Sequence, residues 1–188
     1  RIIGGKHKSK YISTPLNLNT RPTSSKLRES IFNILLHSKD ISVNFVDMEV
    51  IDVFSGSGAM GLESLSRGCK HCTFIDISQE AINIINKNIR ILNQEDNTSV
   101  FKKDALNPIN SDKKYDLCFF DPPYDISNFT NILEKWIKSP VMKEKTIYVY
   151  EKHKNTPFNL LKNMEIIERR QHGISEIIIF KGLSSSSK

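Results

Sequence analysis

Residues 52–61 read DVFSGSGAMG, and this stretch decides the fold. It ends an apolar run at residues 50–54 and opens a segment with helical periodicity at residues 59–67, which stops at Gly68. The spacing GxGxxG predicts a tight turn between a strand and a helix, where a ligand can approach the backbone closely. Because a helix N-terminus favours negative charge, the turn suits a dinucleotide pyrophosphate or a carboxylate group.

Short apolar runs alternate with helical segments along most of the chain. The predicted strands are residues 50–54, 72–75, 99–101, 115–120 and 146–150, and the predicted helices are residues 59–67, 79–92 and 129–137. This alternation is typical of an α/β, Rossmann-like fold with a doubly wound, mostly parallel sheet. Two further strand-like runs, residues 165–169 and 174–180, meet around Gly173 without a helix between them. They predict an antiparallel hairpin that closes one edge of the sheet.

The first 40 residues carry the excess of positive charge. They contain eight lysine and arginine residues but two acidic ones, so they account for the whole formal net charge of +6. Residues 1–20 predict a short hairpin or extended arm, and Thr23 or Ser24 is expected to cap a helix. A basic arm on a neutral body favours a polyanionic partner, although a solvated, flexible terminus would have the same composition. We expect an RNA-binding extension over residues 1–40, a main domain over residues 41–182 and a disordered tail over residues 183–188.

Composition narrows the class of protein. A chain of 188 residues with 38% hydrophobic and 26% charged residues is typical of a soluble globular domain. No apolar run is long enough for a membrane span, so no membrane partner is expected. The three cysteines are an odd number, which favours a reducing cytoplasm. Cys69 and Cys72 form a lone CxxC without the second pair that a zinc site needs, so no metal is expected.

Three acidic residues lie at or just after the ends of three successive predicted strands. Asp52 and Asp76 end the first two strands, and Asp104 follows the third. A carboxylate at position 52 would repel a pyrophosphate but suits the amine and sulfonium of S-adenosylmethionine. Asp76 would accept hydrogen bonds from the ribose hydroxyls and Asp104 from the adenine amino group, although Asp104 taken alone could be a surface acid. The predicted cofactor site comprises Asp52, Phe54, Ser55, Gly56, Ser57, Gly58, Gly61, Asp76, Ile77, Asp104 and Ala105.

A second motif, DPPY at residues 121–124, directly follows the apolar strand at residues 115–120. Two prolines remove two N–H donors, so the turn presents acceptors, namely the Asp121 carboxylate and the Pro122 carbonyl. Such acceptors suit an exocyclic amine, which has two hydrogens to donate, and a tyrosine can stack on the base face. A proline-rich turn with a core tyrosine is the structural alternative. The predicted catalytic residues are Asp121, Pro122, Pro123 and Tyr124, acting on a single-stranded, looped or flipped base.

Four stretches together carry a resemblance to a known family. They are RIIGG (residues 1–5), RPT (21–23) with RE (28–29) and FN (32–33), DVFSGSGAMGLESLSRG (52–68), and DPPY (121–124). In these stretches the chain resembles the RsmD family of small-subunit ribosomal RNA guanine-N2 methyltransferases, over nearly its whole length. Glycine-rich loops and DPPY occur in many methyltransferases, whereas RIIGG, RPT and the LSRG ending are much more specific.

The resemblance implies a class I methyltransferase fold with a seven-stranded sheet and an N-terminal extension. It also implies methyl transfer from S-adenosylmethionine to N2 of guanine 966 in 16S rRNA, within a partly assembled small ribosomal subunit. By position, the cofactor and catalytic residues keep the roles given above. The residues expected to hold RNA are Arg1, Lys6, Lys8, Lys10 and Arg21. We expect a monomeric, cytoplasmic enzyme.

Other functions stay open on the sequence. A DNA or RNA adenine-N6 methyltransferase would also use DPPY, although 188 residues leave little room for the target-recognition domain of a DNA enzyme. A ribosome-assembly factor could bind RNA without catalysis, and an NAD-dependent dehydrogenase could use the glycine-rich turn. The intact Gly56, Gly58 and Asp121 argue against the non-catalytic assembly factor.

Overall fold

The computed structural model describes residues 1–15, 24–41, 43–124, 126 and 128–183. Within these residues the strands are β1 (Glu49–Val53), β2 (His71–Asp76), β3 (Thr98–Lys102), β4 (Tyr115–Phe120), β5 (Met142–His153), β6 (Met164–His172) and β7 (Ser175–Gly182). The helices are α1 (Ser25–His37), α2 (Ala59–Ser66), α3 (Gln79–Leu92) and α4 (Phe129–Ile137), with a 3-10 turn over Glu95–Asn97. The predicted bounds of α3, α4 and β4 are confirmed.

The seven strands form one sheet in the order β3-β2-β1-β4-β5-β7-β6. The first five strands in this order run parallel, whereas β7 runs antiparallel to both of its neighbours. The hairpin between β6 and β7 turns at Gly173, where φ is +64° and glycine avoids the strain of a side chain. The predicted α/β fold, with a mostly parallel sheet and an antiparallel end, is confirmed.

Helices cover both faces of the sheet. In β4, Leu117 and Phe119 point to one face, and Cys118 and Phe120 point to the other. The first face is covered by α1, α2 and α3, through buried residues that include Phe32, Leu62 and Ile89. The second face is covered mainly by α4, through Ile132, Leu133 and Trp136. Because both faces are covered, the central strands are apolar on both sides, as in other parallel sheets.

The prediction for β5 was too short. The strand extends over 12 residues instead of the five at positions 146–150. Residues 143–145 are charged and exposed, so the first half of the strand shows no apolar pattern in the sequence. Its register with β4 also shifts between Tyr115 and Leu117. At its other end, Glu151 and Lys152 are buried although both are charged residue types. Ion pairs and hydrogen bonds formed in the folded chain make this extension possible, for example between Lys152 and Glu176.

The N-terminal segment packs against the rest of the domain. Two backbone hydrogen bonds close residues 2–10 into a hairpin-like turn, from Ile2 N to Lys10 O (2.8 Å) and from Ser9 N to Ile2 O (2.9 Å). Ile2 is 1% exposed and belongs to the same hydrophobic core as Phe32 and Phe119. Residues on both sides of the expected boundary at residue 41 therefore share one core, and the boundary itself stays a prediction.

Some predictions concern residues outside the described part of the chain. Arg21 and Thr23 lie there, as do residues 184–188 of the expected tail. Ser24, the other candidate cap of the first helix, does cap α1, because its Oγ accepts a hydrogen bond from Leu27 N at 3.2 Å. Among the described residues, no helix combines the length and the hydropathy that a membrane crossing requires.

Candidate active site

The two motif loops leave the sheet side by side. Strands β1 and β4 are parallel neighbours, and Val53 is the register partner of Phe120. The glycine-rich loop follows the first of these residues within the same turn, and DPPY follows the second directly. Neighbouring strands lie about 4.8 Å apart, so both loops begin at one point of the carboxyl edge of the sheet. This edge is where open α/β sheets bind ligands.

The glycine-rich loop depends on glycine at several positions. Gly56 and Gly58 have φ values of +54° and +76°, which L side chains rarely adopt. At Gly61, an added Cβ would lie 2.3 Å from the Phe74 ring, so this glycine lets α2 pack closely on β2. Ser55 ties the loop to the end of β2, because its backbone N–H donates to Ile75 O at 2.9 Å. The loop is therefore held open by backbone geometry and fixed to two strands.

Asp52 is a buried acid beneath the glycine-rich loop. Asp52 is 2% exposed, and its Oδ2 accepts a hydrogen bond from Gly61 N at 3.0 Å. Burial, followed by the nearby charge of Asp76, raises the pKa of Asp52 to about 8 despite this hydrogen bond. A cation bound close to Asp52 would favour the ionised carboxylate. The site therefore suits a positively charged group of a ligand.

Asp76 connects the end of β2 to the glycine-rich loop. Its Oδ2 accepts from Gly56 N and its Oδ1 accepts from Ser78 N, both at 2.8 Å. Each carboxylate oxygen has two lone pairs, so Asp76 can still accept hydrogen bonds from a ligand. The next residue, Ile77, is 65% exposed at this edge and offers an apolar surface. The carboxylate is thus oriented by the protein before any ligand binds.

Asp104 and Ala105 lie beside Asp76. The backbone N–H of Lys103 donates to Asp76 O at 3.0 Å, which joins the segment after β3 to the end of β2. Asp104 is exposed, and its Oδ1 accepts from Leu106 N at 2.9 Å. Ala105 is buried, and its carbonyl accepts a hydrogen bond from Trp136 Nε1 at 2.8 Å. The fold therefore brings the three predicted acids to one edge of the sheet.

The DPPY loop is held by its own turn and by the C-terminal hairpin. Pro122 is buried, whereas Pro123 is exposed and its carbonyl accepts from Ile126 N at 3.1 Å. Asp121 is partly exposed, and its charge contributes, after burial, to raising the pKa of Tyr150. Tyr124 is 40% exposed, but its hydroxyl lies 2.8 Å from Ser175 Oγ. A solvent-accessible ring with an anchored hydroxyl can contact a flat substrate.

Several residues near the site were missed in the sequence. Ser175 and Glu151 contact each other beside Tyr124, and nothing in their local sequence suggests this. Asn88 had a signal that could have been used, because it interrupts the apolar stripe of α3. Its Nδ2 donates to Ser57 O (3.0 Å) and to Ser13 O (2.9 Å), which links the N-terminal segment to the glycine-rich loop.

A buried ionic cluster, here called the N-terminal clasp, holds the start of the chain. Glu63 is 0% exposed, and its carboxylate accepts from Ile3 N (2.8 Å), Gly4 N (2.8 Å) and Arg67 Nε (2.9 Å). Arg28 lies 3.8 Å from the same carboxylate and donates to Arg1 O at 2.5 Å. These residues come from RIIGG, from the RE pair and from the stretch that ends in LSRG. Sequences far apart in the chain therefore meet in one cluster.

The predicted RNA-binding lysines lie away from the motif loops. Residues 5–10, here called the lysine turn, contact the last residue of α2, since Lys6 N donates to Ser66 O at 2.7 Å. Helix α2 starts at the glycine-rich loop and runs back along the sheet for eight residues, a length of about 12 Å. Lys6, Lys8 and Lys10 are exposed there, as is Arg1. The structure does not bring these lysines to the carboxyl edge.

The CxxC pair consists of buried thiols. Cys69 and Cys72 are both free and buried, and burial raises the pKa of Cys69 to about 12. Burial also raises the pKa of Cys72 well above its usual value. Among the described ranges, no group of three or more histidine, cysteine or acidic side chains could hold a metal ion. The expected absence of a metal stays a prediction.

The sheet order and the pair of loops define the class I methyltransferase fold. A putative methyltransferase from Escherichia coli shares this fold, with a TM-score of 0.82, 22% identity and 98% of each chain covered. The family model described as Conserved hypothetical protein 95 matches residues 1–181. The chain therefore belongs to this family, and its resemblance to the RsmD methyltransferases is confirmed.

Two curated relatives extend the comparison. The chain is 32% identical to the ribosomal RNA small subunit methyltransferase D of Buchnera aphidicola (subspecies Acyrthosiphon pisum), over 90% of this chain and 86% of that protein. It is 27% identical to the putative rRNA methyltransferase YlbH of Bacillus subtilis, over 96% of this chain and 98% of that protein.

Proposed function

We propose that this protein transfers a methyl group from S-adenosylmethionine to the exocyclic N2 of a guanine in 16S rRNA, within a partly assembled small ribosomal subunit. The observation that carries the proposal is the register pairing of Val53 with Phe120. It starts a candidate cofactor loop and a candidate acceptor loop from adjacent positions, which direct transfer of one carbon requires. We further propose that the enzyme acts as a monomer in the cytoplasm.

The residues around the glycine-rich loop fit S-adenosylmethionine. Asp52 would face its amine and sulfonium, since a buried carboxylate favours a nearby cation. Asp76 would bind the ribose hydroxyls, while Ile77, Asp104 and Ala105 would contact the adenine. When bound, this cofactor supplies a methyl group that its sulfonium already activates. The Gly56 position supports a close approach of the ligand, because nothing lies within 4 Å of an added Cβ there.

The DPPY loop would hold the acceptor amine. The Asp121 carboxylate and the Pro122 carbonyl would each accept a hydrogen bond from the amine, which aligns the nitrogen with the methyl group. Tyr124 would stack on the base, as aromatic side chains do in single-strand binding. The N–C bond forms as the S–C bond breaks, and the electron pair of that bond stays on sulfur. Asp121 or water then takes the proton, after the positive charge on nitrogen has been stabilised by the carboxylate.

Ribosomal RNA as the substrate and guanine N2 as the target atom are supported by the relatives and the family resemblance instead of the geometry of the site. The names of the relatives support small-subunit ribosomal RNA, and the resemblance to the RsmD family supports guanine N2. The four basic residues described in the N-terminal segment support a polyanionic partner. An adenine-N6 methyltransferase would use the same acceptor loop, so the product must be identified directly.

The test compares Asp121→Ala with Asp112→Ala, in which an exposed acid outside the motifs is removed. Small-subunit particles lacking the modification are incubated with methyl-labelled S-adenosylmethionine, and the RNA is digested to nucleosides. Asp121→Ala should lower methyl transfer by about 10²–10³-fold or more, while calorimetry shows nearly unchanged cofactor affinity. Asp112→Ala should behave as wild type. Label in N6-methyladenosine, or no label from the wild-type enzyme, would overturn the proposal.

A further inference from the structure

We propose that Ser175 and Glu151 are positioning residues that orient Tyr124 through a hydrogen-bond relay. The inference rests on the proposed function, in which Tyr124 stacks on the target base. It adds two residues to the site, and both come from strands that the motifs do not include. The C-terminal hairpin is then part of the active site as well as the closing edge of the sheet.

The polarity of the relay follows from counting hydrogens. Ser175 Oγ donates to Glu151 Oε1 at 2.9 Å and lies 2.8 Å from the Tyr124 hydroxyl. A serine hydroxyl has one hydrogen, and the hydrogen bond to Glu151 uses it. Ser175 therefore accepts from Tyr124, and the tyrosine is the donor. The tyrosine hydroxyl is directed toward the hairpin, so the phenol ring has one preferred orientation.

Two members of the relay are buried, whereas the third, the tyrosine, stays accessible to solvent. Glu151 and Ser175 are 8% and 6% exposed, whereas Tyr124 is 40% exposed. Because both residues are buried, little water competes for the hydrogen bond between them. The His153 ring also contacts Tyr124, with centroids 5.4 Å apart and planes at 71°. Tyr124 is thus held at its hydroxyl and at its ring, while part of its surface stays open.

The sheet register explains why these residues meet. Phe120 pairs with Tyr150, so Glu151 directly follows the position that neighbours the start of the DPPY loop. Ser175 opens β7 and pairs with His153 at the end of β5. Three adjacent strands therefore supply Asp121, Glu151 and Ser175 to one short length of the carboxyl edge. This arrangement needs β7 to lie next to β5, as it does in the observed strand order.

The relay predicts that Tyr124→Phe and Ser175→Ala have the same effect, because each removes the same link. Each should lower kcat/KM for RNA by about 5-fold if only one hydrogen bond is lost, and by up to about 100-fold if the stacking ring is misplaced. The double variant should be no worse than either single variant, since the link can be lost once. Cofactor affinity should stay unchanged in all three. Ser175→Thr keeps the hydroxyl and should restore most of the activity.

Ser139→Ala is the matched control, because Ser139 is also buried and its Oγ accepts from Val141 N. It lies between α4 and β5, at the end of β5 that is far from the DPPY loop, and its loss should leave kcat/KM unchanged. A merely structural role for Ser175 would multiply the losses in the double variant, and that result would overturn the relay. So would a Ser175→Ala enzyme with wild-type kcat/KM.

A second measurement separates the relay from the proposed function. The Ile126 amide donates to Pro123 O within the DPPY turn. Its hydrogen exchange should accelerate equally in Tyr124→Phe and Ser175→Ala, whether or not RNA is methylated. Faster exchange without any methylation by the wild type would keep the relay and reject the proposed function. Unchanged exchange in both variants would reject the relay.

Discussion

Replacing Glu63 with alanine should destabilise the fold by about 3–5 kcal/mol, the usual cost of breaking a buried ion pair from one side. The carboxylate is fully buried and accepts from two backbone N–H groups and from Arg67. The variant leaves the Ile3 and Gly4 donors without their acceptor and two arginines without their counter-charge. Each unsatisfied buried donor costs about 1–3 kcal/mol by itself.

Part of this cost can be recovered by solvation, which sets the lower end of the range. The Arg67 side chain is 14% exposed, so a small shift can hydrate it, whereas the Arg28 side chain is 5% exposed. The ring of Phe32, which lies 4.7 Å below the Arg67 guanidinium, continues to hold that cation. A loss of this size is a large part of the 5–15 kcal/mol that is typical of a folded domain.

The assay is urea unfolding at neutral pH, with the midpoint and slope fitted for each variant. Glu134→Ala is the matched control, because Glu134 pairs with Lys138 on the surface of α4 and its side chain is 40% exposed. That change should cost only about 0.3–0.5 kcal/mol. A Glu63→Ala protein within about 1 kcal/mol of wild type would show that the N-terminal clasp does not hold the fold together.

Two further predictions concern binding. Since burial raises the pKa of Asp52 to about 8 and a bound cation would lower it, cofactor binding should release a proton, and affinity should fall as the pH drops from about 8 to about 6. Calorimetry in buffers with different ionisation enthalpies measures this release, which Asp52→Asn should abolish; a pH-independent affinity of the wild type would contradict it. Replacing Lys6, Lys8 and Lys10 together with alanine should weaken RNA binding and reduce the slope of log affinity against log salt by about 2. An unchanged slope in filter-binding titrations would mean that RNA contacts another surface.

The sequence predicted the fold because its central strands and its motifs are local features. An apolar run followed by GxGxxG predicts a strand, a turn and a helix without reference to the rest of the chain. The alternation of strands and helices makes the strands parallel, so Gly56 and Asp121 are expected at the same edge of the sheet. The direct pairing of β1 with β4 is seen only in the structure. The placement of the two motif loops was therefore predictable in outline.

Contacts between distant residues were not predictable in this way. Glu151 and Ser175 are 24 residues apart, and they meet because β7 inserts between β5 and β6. The charge excess of the first 40 residues did not predict where the lysines lie in the fold. The turn that carries Lys6 and Lys8 lies at the end of α2 that is far from the glycine-rich loop.

The pairing of Val53 with Phe120 also determines how motion can enter catalysis. Donor and acceptor loops are anchored on adjacent strands, whose separation is fixed by a ladder of backbone hydrogen bonds. No hinge lies between these anchors, so the methyl transfer distance cannot be set by the closure of one lobe onto another. Any opening or closing of the site must come from the loops themselves. The distance between the two anchoring strands should stay constant throughout the reaction.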